Sequence, residues 1–184
     1  MSEEIRPNFT RISSILSPYN DYDSIPPHIL AIAAARGTAI HNLCQLYAEK
    51  GIHMPSEHDG YVSAFVKWFD REVVEVYECE TRLYCDTYEI TGQFDIFAKL
   101  KHSQVPYNCI IDIKTCVAKH ATWPLQLAGY KYLAEVSGGH TNTEKAVLHL
   151  SKDGSYKFYL YEDHKKDLDL FMSCLMLHRY FKKG

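Results

Sequence analysis

No apolar run in this 184-residue chain approaches the roughly 18 residues that a membrane-spanning helix needs. The opening residues also lack the basic-then-apolar order of a secretory signal. Both absences predict a cytoplasmic protein with no membrane partner. Six cysteines are scattered at 44, 79, 85, 109, 116 and 174, with no CxxC pair, and the ten histidines do not complete a metal–thiolate spacing. A zinc or iron–sulfur site is therefore not expected, and reduced, mostly buried thiols are. Positive charge is not in excess either: 20 Lys and Arg face 23 Asp and Glu, a formal net charge of -3. Indiscriminate coating of nucleic acid is excluded, though a local basic face is not. With no internal repeat, low-complexity tract or linker, the expectation is one domain over 1–184, long enough for a real core.

What the chain does contain is a succession of helical and strand patterns. Pro7, Ser13-Ser14, Ser17-Pro18, Asn20-Asp21 and Pro26-Pro27 predict an irregular segment over 1–27, packed on the body through Phe9, Ile12, Ile15 and Leu16. From 28 to 50, Ile29, Ile32, Ala33, Ile40, Leu43 and Tyr47 recur at helical spacing, with Gly51 as C-cap. Gly37 inside that helix predicts a kink, a break or a close backbone approach. A second helix is expected near 60–72, on the stripe Val62, Phe65, Val66 and Phe69. Strand patterns then run over 73–80, 83–85, 88–100 and 107–114. A helix follows to about 136, with Thr122 as N-cap and Pro124 early in it. Strands over 145–150 and 156–161 flank a turn, and a last helix over 163–182 buries Leu168, Phe171 and Leu175. The class this predicts is α/β, a central mixed β-sheet flanked by helices.

The chemistry concentrates between 92 and 114. One apolar β run carries Asp95 and the next ends in Asp112-Ile113-Lys114. Side chains alternate along a strand, so Asp112 and Lys114 share a face. If the two runs pair as a hairpin, Asp95 comes beside Asp112. Converging carboxylates suit Mg²⁺, and a lysine beside them can stabilise charge on a phosphate. Taken alone, an Asp-x-Lys tripeptide is weak, since a surface pair of this kind contributes little. Glu80 could add a third acid and His41 a nitrogen ligand that favours Mn²⁺ alongside Mg²⁺. Gln126 and Tyr130, four apart on a helix, share a face that could meet phosphate or base.

These signals fall in one order: Gly37-Thr38-Ala39-Ile40-His41, Glu80, Gly92-Gln93-Phe94-Asp95, Asp112-Ile113-Lys114-Thr115 and Gln126-Leu127-Ala128-Gly129-Tyr130. In that order the chain resembles the RecB-type, Cas4-like exonuclease branch of the PD-(D/E)XK nuclease superfamily, from about residue 10 to 132. The likeness is nearest to stand-alone nucleases of phages and prophages. The resemblance implies a restriction-endonuclease-like core, with Asp95, Asp112, the Ile113 carbonyl and His41 as metal ligands. It makes Glu80 an acidic site residue, Lys114 the catalytic lysine, and Gln126 and Tyr130 substrate-binding. Asp112 stands where many relatives carry Glu. The cysteines that hold an iron–sulfur cluster in some relatives are missing, so no cluster is expected.

The function so implied is an Mg²⁺- or Mn²⁺-dependent deoxyribonuclease, an exonuclease of phage DNA recombination, repair or processing. Its partner would be DNA, single- or double-stranded, with a homo-oligomer or a recombination protein as further candidates. A catalytically weak module holding DNA or a protein, and an RNA-directed nuclease, are the alternatives. Lys119, Lys131, Lys165, Lys166, Arg179, Lys182 and Lys183 are candidate phosphate contacts.

Overall fold

The computed structural model describes residues 8–22, 24–101 and 106–182. In chain order the elements are β1 (Thr10–Arg11), α1 (Ile12–Leu16), a 3-10 turn (Ser17–Tyr19), α2 (Pro27–Lys50), α3 (Asp59–Glu72), β2 (Val73–Cys85), β3 (Ile90–Leu100), β4 (Tyr107–Lys114), α4 (Trp123–Ser137), β5 (Thr143–Leu150), β6 (Tyr156–Leu160) and α5 (His164–Lys182). The sheet has six strands in the order β1-β3-β4-β5-β6, with β2 paired to β3. Two of its pairings are parallel, β1 with β3 and β4 with β5, and the others antiparallel. This is the mixed, helix-flanked α/β sheet expected. No helix among the described residues is long and apolar enough to cross a membrane.

Each face of the sheet is covered by helices because its strands are apolar on both sides. Ile96, Ala98, Leu100, Cys109, Ile111, Ile113, Ala146 and Leu148 pack against Ile40 and Cys44 of α2 and Phe65 and Trp68 of α3. On the other face Ile90, Phe94, Phe97 and Ile110 meet α1, α4 and α5 through Ile12, Ile15, Tyr130, Leu133, Phe171 and Leu175.

The segment before α2 departs from the expectation of irregular chain. Residues 10 and 11 form a strand, and Ile12, Ile15 and Leu16 on the turn of helix after it are fully or almost fully buried. Burying each such side chain contributes roughly 1.5–3 kcal/mol, which outweighs the poor local propensity of Ser-Ser and Ser-Pro. Residues 1–7 and 23 of that expectation lie outside the described residues. Gly37 does not interrupt α2, which runs unbroken for 24 residues. A Cβ there would sit 3.8 Å from Thr115 Oγ1, an ordinary contact. Ile29 and Ile32 are exposed, since α2 reaches the sheet only from Ile40 onward. Gly51 does cap the helix, at φ 67, where residues with a Cβ are strained. Thr122 occupies the N-cap position of α4 without capping it. Its hydroxyl instead bonds Asn20 Oδ1 at 2.7 Å, tying the segment before α2 to α4.

Candidate metal centre and cleft

The site grows from one irregularity of β3. One edge of β3 pairs with β2 from Leu100 down to Ile90. Its other edge is divided: β1 pairs with Ile90 and Thr91, and β4 pairs only from Ile96 to Leu100. Between these partners residues 92–95 have no ladder on that edge among the described residues. Carrying the registers one step on puts Asp95 opposite Asp112 in β4 and opposite Glu80 in β2. Three acids on three adjacent strands thus fall in one row. At the row the apolar alternation of β3 also turns over, Phe94 packing toward α4 and α5 and Ile96 toward α2 and α3.

Two backbone features mark the same place. Glu80 has φ 50, a left-handed conformation that costs a non-glycine residue about 1–3 kcal/mol and is found where surrounding structure imposes it. Gly92 lies under the Tyr130 ring and Ile12: a Cβ would come within 2.8 Å of Tyr130 Cδ1, Tyr130 Cε1 and Ile12 Cδ1. That contact gives a packing reason for a glycine three residues before Asp95.

His41 reaches the row from α2, its Nδ1 3.0 Å from Asp95 Oδ1 and 3.9 Å from Glu80 Oε1. Donor atoms of His41, Glu80 and Asp95 all lie within 4.8 Å of one another. Asp95 Oδ2 accepts the Ile113 N–H. Lys114 Nζ lies 2.8 Å from Asp112 Oδ2, an ion pair in which the ammonium sits off the hydrogen-bonding direction. The same Nζ donates to Gln126 Oε1 at 3.0 Å, and Gln126 Nε2 donates to the Tyr130 hydroxyl at 2.6 Å. A second chain of bonds supports Glu80: Arg82 donates to Gln93 Oε1, and Gln93 Nε2 donates to Glu80 Oε2 at 2.6 Å.

The charges are unbalanced, three carboxylates against one lysine and one histidine, and the protonation equilibria show it. Burial would lower the His41 pKa, but Asp95, by charge and hydrogen bond, with Asp112 and Glu80 raises it to about 9. Burial disfavours the Asp95 carboxylate too, yet His41, the Ile113 N–H and Lys114 together hold its pKa below the usual range. Glu80 is raised by burial and then by Asp95. Asp112 is raised by burial and Asp95 against the pull of Lys114. For Lys114, burial is outweighed by Asp112 and Asp95, so its pKa rises. Two acids are therefore disfavoured as anions in the absence of a further cation.

A cleft of about 210 Å³ opens beside this row, lined among others by His41, Ile113, Lys114 and Gln126 and walled by Asn20, Tyr22 and His120. Sequence reasoning missed that wall, which comes from two irregular stretches with no periodicity to read. It also missed Arg82 and Gln93, although Gln93 stands inside the motif that ends at Asp95. His41, Glu80 and Asp95 form one cluster, and Asp112 and Lys114 adjoin it as an ion pair. Ile113 turns its N–H toward Asp95, and in a strand its carbonyl leaves on the same edge. Tyr130 is 6% exposed, with its hydroxyl on Gln126, so it touches the site through Gln126 and not through the cleft.

The described candidate phosphate contacts lie on the loop after β4, on α4 and on α5, and three of them already have partners. Lys119 lies over the Tyr159 ring at 4.4 Å, Lys131 pairs with Glu135, and Arg179 bonds the Tyr88 carbonyl. Lys165 and Lys166 lie at one end of α5 and Lys182 at the other, while Lys183 lies outside the described residues.

No protein-family profile matches the chain, and no curated protein sequence does. Solved structures do resemble it. The crystal structure of a candidate exonuclease from Eubacterium rectale aligns at TM-score 0.54 over 92% of this chain and 80% of that one, with 8% identity. The crystal structure of SSO0001 aligns at TM-score 0.45, over 96% of this chain and 79% of that one, with 16% identity. At such identities the first likeness speaks to the fold alone, and the second is too loose to argue from.

Proposed function

We propose that this chain is a PD-(D/E)XK nuclease of the RecB type, a single domain over 1–184 that hydrolyses DNA phosphodiester bonds with Mg²⁺ or Mn²⁺. The observation that carries the reading is the row Glu80–Asp95–Asp112 across three strands, with His41 on one side and Lys114 on the other. The donor set fits the ion. Carboxylate oxygens with one imidazole suit Mg²⁺ and Mn²⁺, and the net negative charge of the cluster calls for a cation. His41, Glu80, Asp95 and Asp112 are the side chains that would hold it, with the Ile113 carbonyl. Bound there, a divalent cation polarises a phosphoryl oxygen and acidifies a water.

The residues of the chain supply the rest. Lys114 keeps its proton, because Asp112 and Asp95 raise its pKa, and so offers a fixed positive charge in the lining of the cleft. Asp112 and Gln126 fix its position, and Tyr130 fixes Gln126, so the buried tyrosine acts as a positioning residue. Preorganised charge of this kind stabilises the anionic transition state of phosphoryl transfer. Arg82 and Gln93 do for Glu80 what Gln126 does for Lys114. Action on DNA ends is supported by the sequence resemblance and by likeness of fold to a candidate exonuclease, and a role in phage recombination or repair by the sequence resemblance.

End-labelled linear DNA incubated with the protein and Mg²⁺ or Mn²⁺ tests the proposal. Cleavage that depends on the cation and disappears in Lys114→Ala is the expected result. No cleavage with either ion, or cleavage that survives that substitution, sinks the reading. RNA of the same sequence serves as the parallel substrate, and faster cleavage of RNA would reassign the substrate.

A further inference from the structure

Helix α5 carries two apolar faces where a surface helix needs one. Its inner face buries Phe171 and Leu175 in the core beside α1 and α4. Opposite them, Leu170, Leu177, Tyr180 and Phe181 fall within about 100° of the helix circumference. These four are 45%, 48%, 76% and 75% exposed, and Met176, exposed by 66%, borders them. The two rings alone present roughly 300 Å². With the aliphatic neighbours the stripe is on the order of 500 Å², at the upper end of what a monomer leaves in water.

We infer that this face is the interface of a two-fold homodimer in which α5 packs antiparallel against α5 of a second copy. Two copies would bury about 1,000 Å², the lower bound for a specific interface. An isologous interface also needs knob and hole on the same surface. Both are here. An apolar pocket of about 150 Å³, lined by Tyr88, Met172, Leu175, Met176 and Arg179, opens on the flank of the same helix. A two-fold axis at Leu177 sets positions equidistant from it against each other. Phe181 then falls level with Ser173 of the second copy, and Tyr180 falls level with the turn from Met172 to Met176, two residues that line the pocket. From 170 to 178 the helix has no Asp, Glu, Lys or Arg, so no like charges face across the axis. Lys165 and Lys166 fall beyond the end of the partner helix. No residue of the stripe lines the cleft beside Lys114, so pairing leaves both clefts open, and the inference does not depend on the nuclease reading.

Sedimentation velocity from about 1 to about 100 μM, a range that brackets micromolar dissociation constants, tests it. The full chain should reach twice the mass of one chain as concentration rises, with a melting temperature that rises in step. Leu177→Asp sets two carboxylates together on the axis, and the double variant Tyr180→Ser, Phe181→Ser removes the knobs. Each should weaken association at least tenfold. All three positions are exposed, so folding should persist, and if one variant misfolds the other decides. A full chain that stays monomeric throughout overturns the inference, including the case in which the face captures some other protein. A dimer untouched by the folded variants overturns it equally.

Discussion

Two lysine–aspartate pairs, one buried and one with its lysine partly exposed at the cleft, sit on neighbouring strands of the same sheet and serve different ends. Lys145 on β5 is 1% exposed and meets Asp167 of α5 at 2.5 Å, with its ammonium 5.5 Å from the Tyr161 ring. One acid meets one lysine, and the charges cancel. Lys114 on β4 meets Asp112 at 2.8 Å, but Asp95 lies in the next register position and Glu80 beyond it. Three acids share two cations, and the surplus shows in the raised pKa values of Glu80 and Asp112. The difference teaches that burial of an ion pair is not itself a sign of function. Excess charge that the fold leaves uncompensated, next to a cleft, is the informative feature.

Substitutions at the two pairs should therefore separate activity from stability. The largest effect expected is on cleavage: Asp112→Asn should lower kcat for DNA about 10³-fold or more, since it removes charge where the reacting phosphate is held. Because the Asp112 anion is disfavoured by burial and by Asp95, urea unfolding of the cation-free variant should show stability unchanged or higher. Asp167→Asn should do the reverse. Breaking a buried pair at one end costs about 3 kcal/mol, visible in the same unfolding curves, while kcat of the folded protein stays the same. If both variants lose stability and neither loses activity, the distinction fails.

A smaller effect is expected where packing supports the site. Gly92→Ala forces the Tyr130 ring and Ile12 to move, and overpacking of this kind costs about 1–3 kcal/mol. Since Tyr130 holds Gln126 and Gln126 holds Lys114, kcat should fall with stability. Activity that survives at full level would mean that the lysine does not need this support.

The smallest effect is on pH, and each pair has a histidine that reports on it. His41 is raised from an ordinary value of about 6.5 to about 9. In the cation-free protein its contribution is complete below pH 6.5 and is lost as pH rises through about 9. His164 is lowered to about 4 by burial and by Lys131 and Lys145. Its contribution is present above pH 6.5 and is lost as pH falls toward about 4. Melting temperature against pH should lose its alkaline decline in His41→Gln and part of its acid decline in His164→Gln. Cation binding near pH 7 should also release a proton from His41, which proton-release calorimetry would detect.

How much of this the residues disclosed depended on whether a feature is local. The helical repeats, the apolar strands and the turn near Gly154 are local patterns, and α3, α4, α5 and β4–β6 follow them closely. The meeting of Asp95 and Asp112 was legible because a hairpin register is arithmetic. Long-range partners were not. The packing of Ile12, Ile15 and Leu16 was legible, but not the short strand and helix that carry it, in which Thr10 and Arg11 add a parallel ladder to β3. Nothing in Ser13-Ser14 or Ser17-Pro18 foretells that. The left-handed Glu80 had no signal either, since its neighbours read as ordinary strand. Thr122 fits the expected N-cap position, yet Asn20 takes its hydroxyl.

The central claim is that the acid row holds a catalytic cation. Crystals soaked in Mn²⁺ and recorded at its absorption edge test it most directly. The expected result is an anomalous peak ligated by His41 and Asp95, bordered by Glu80 and Asp112, and absent in Asp95→Asn. No peak in the wild-type protein, or a peak only at some other group of residues, would contradict it.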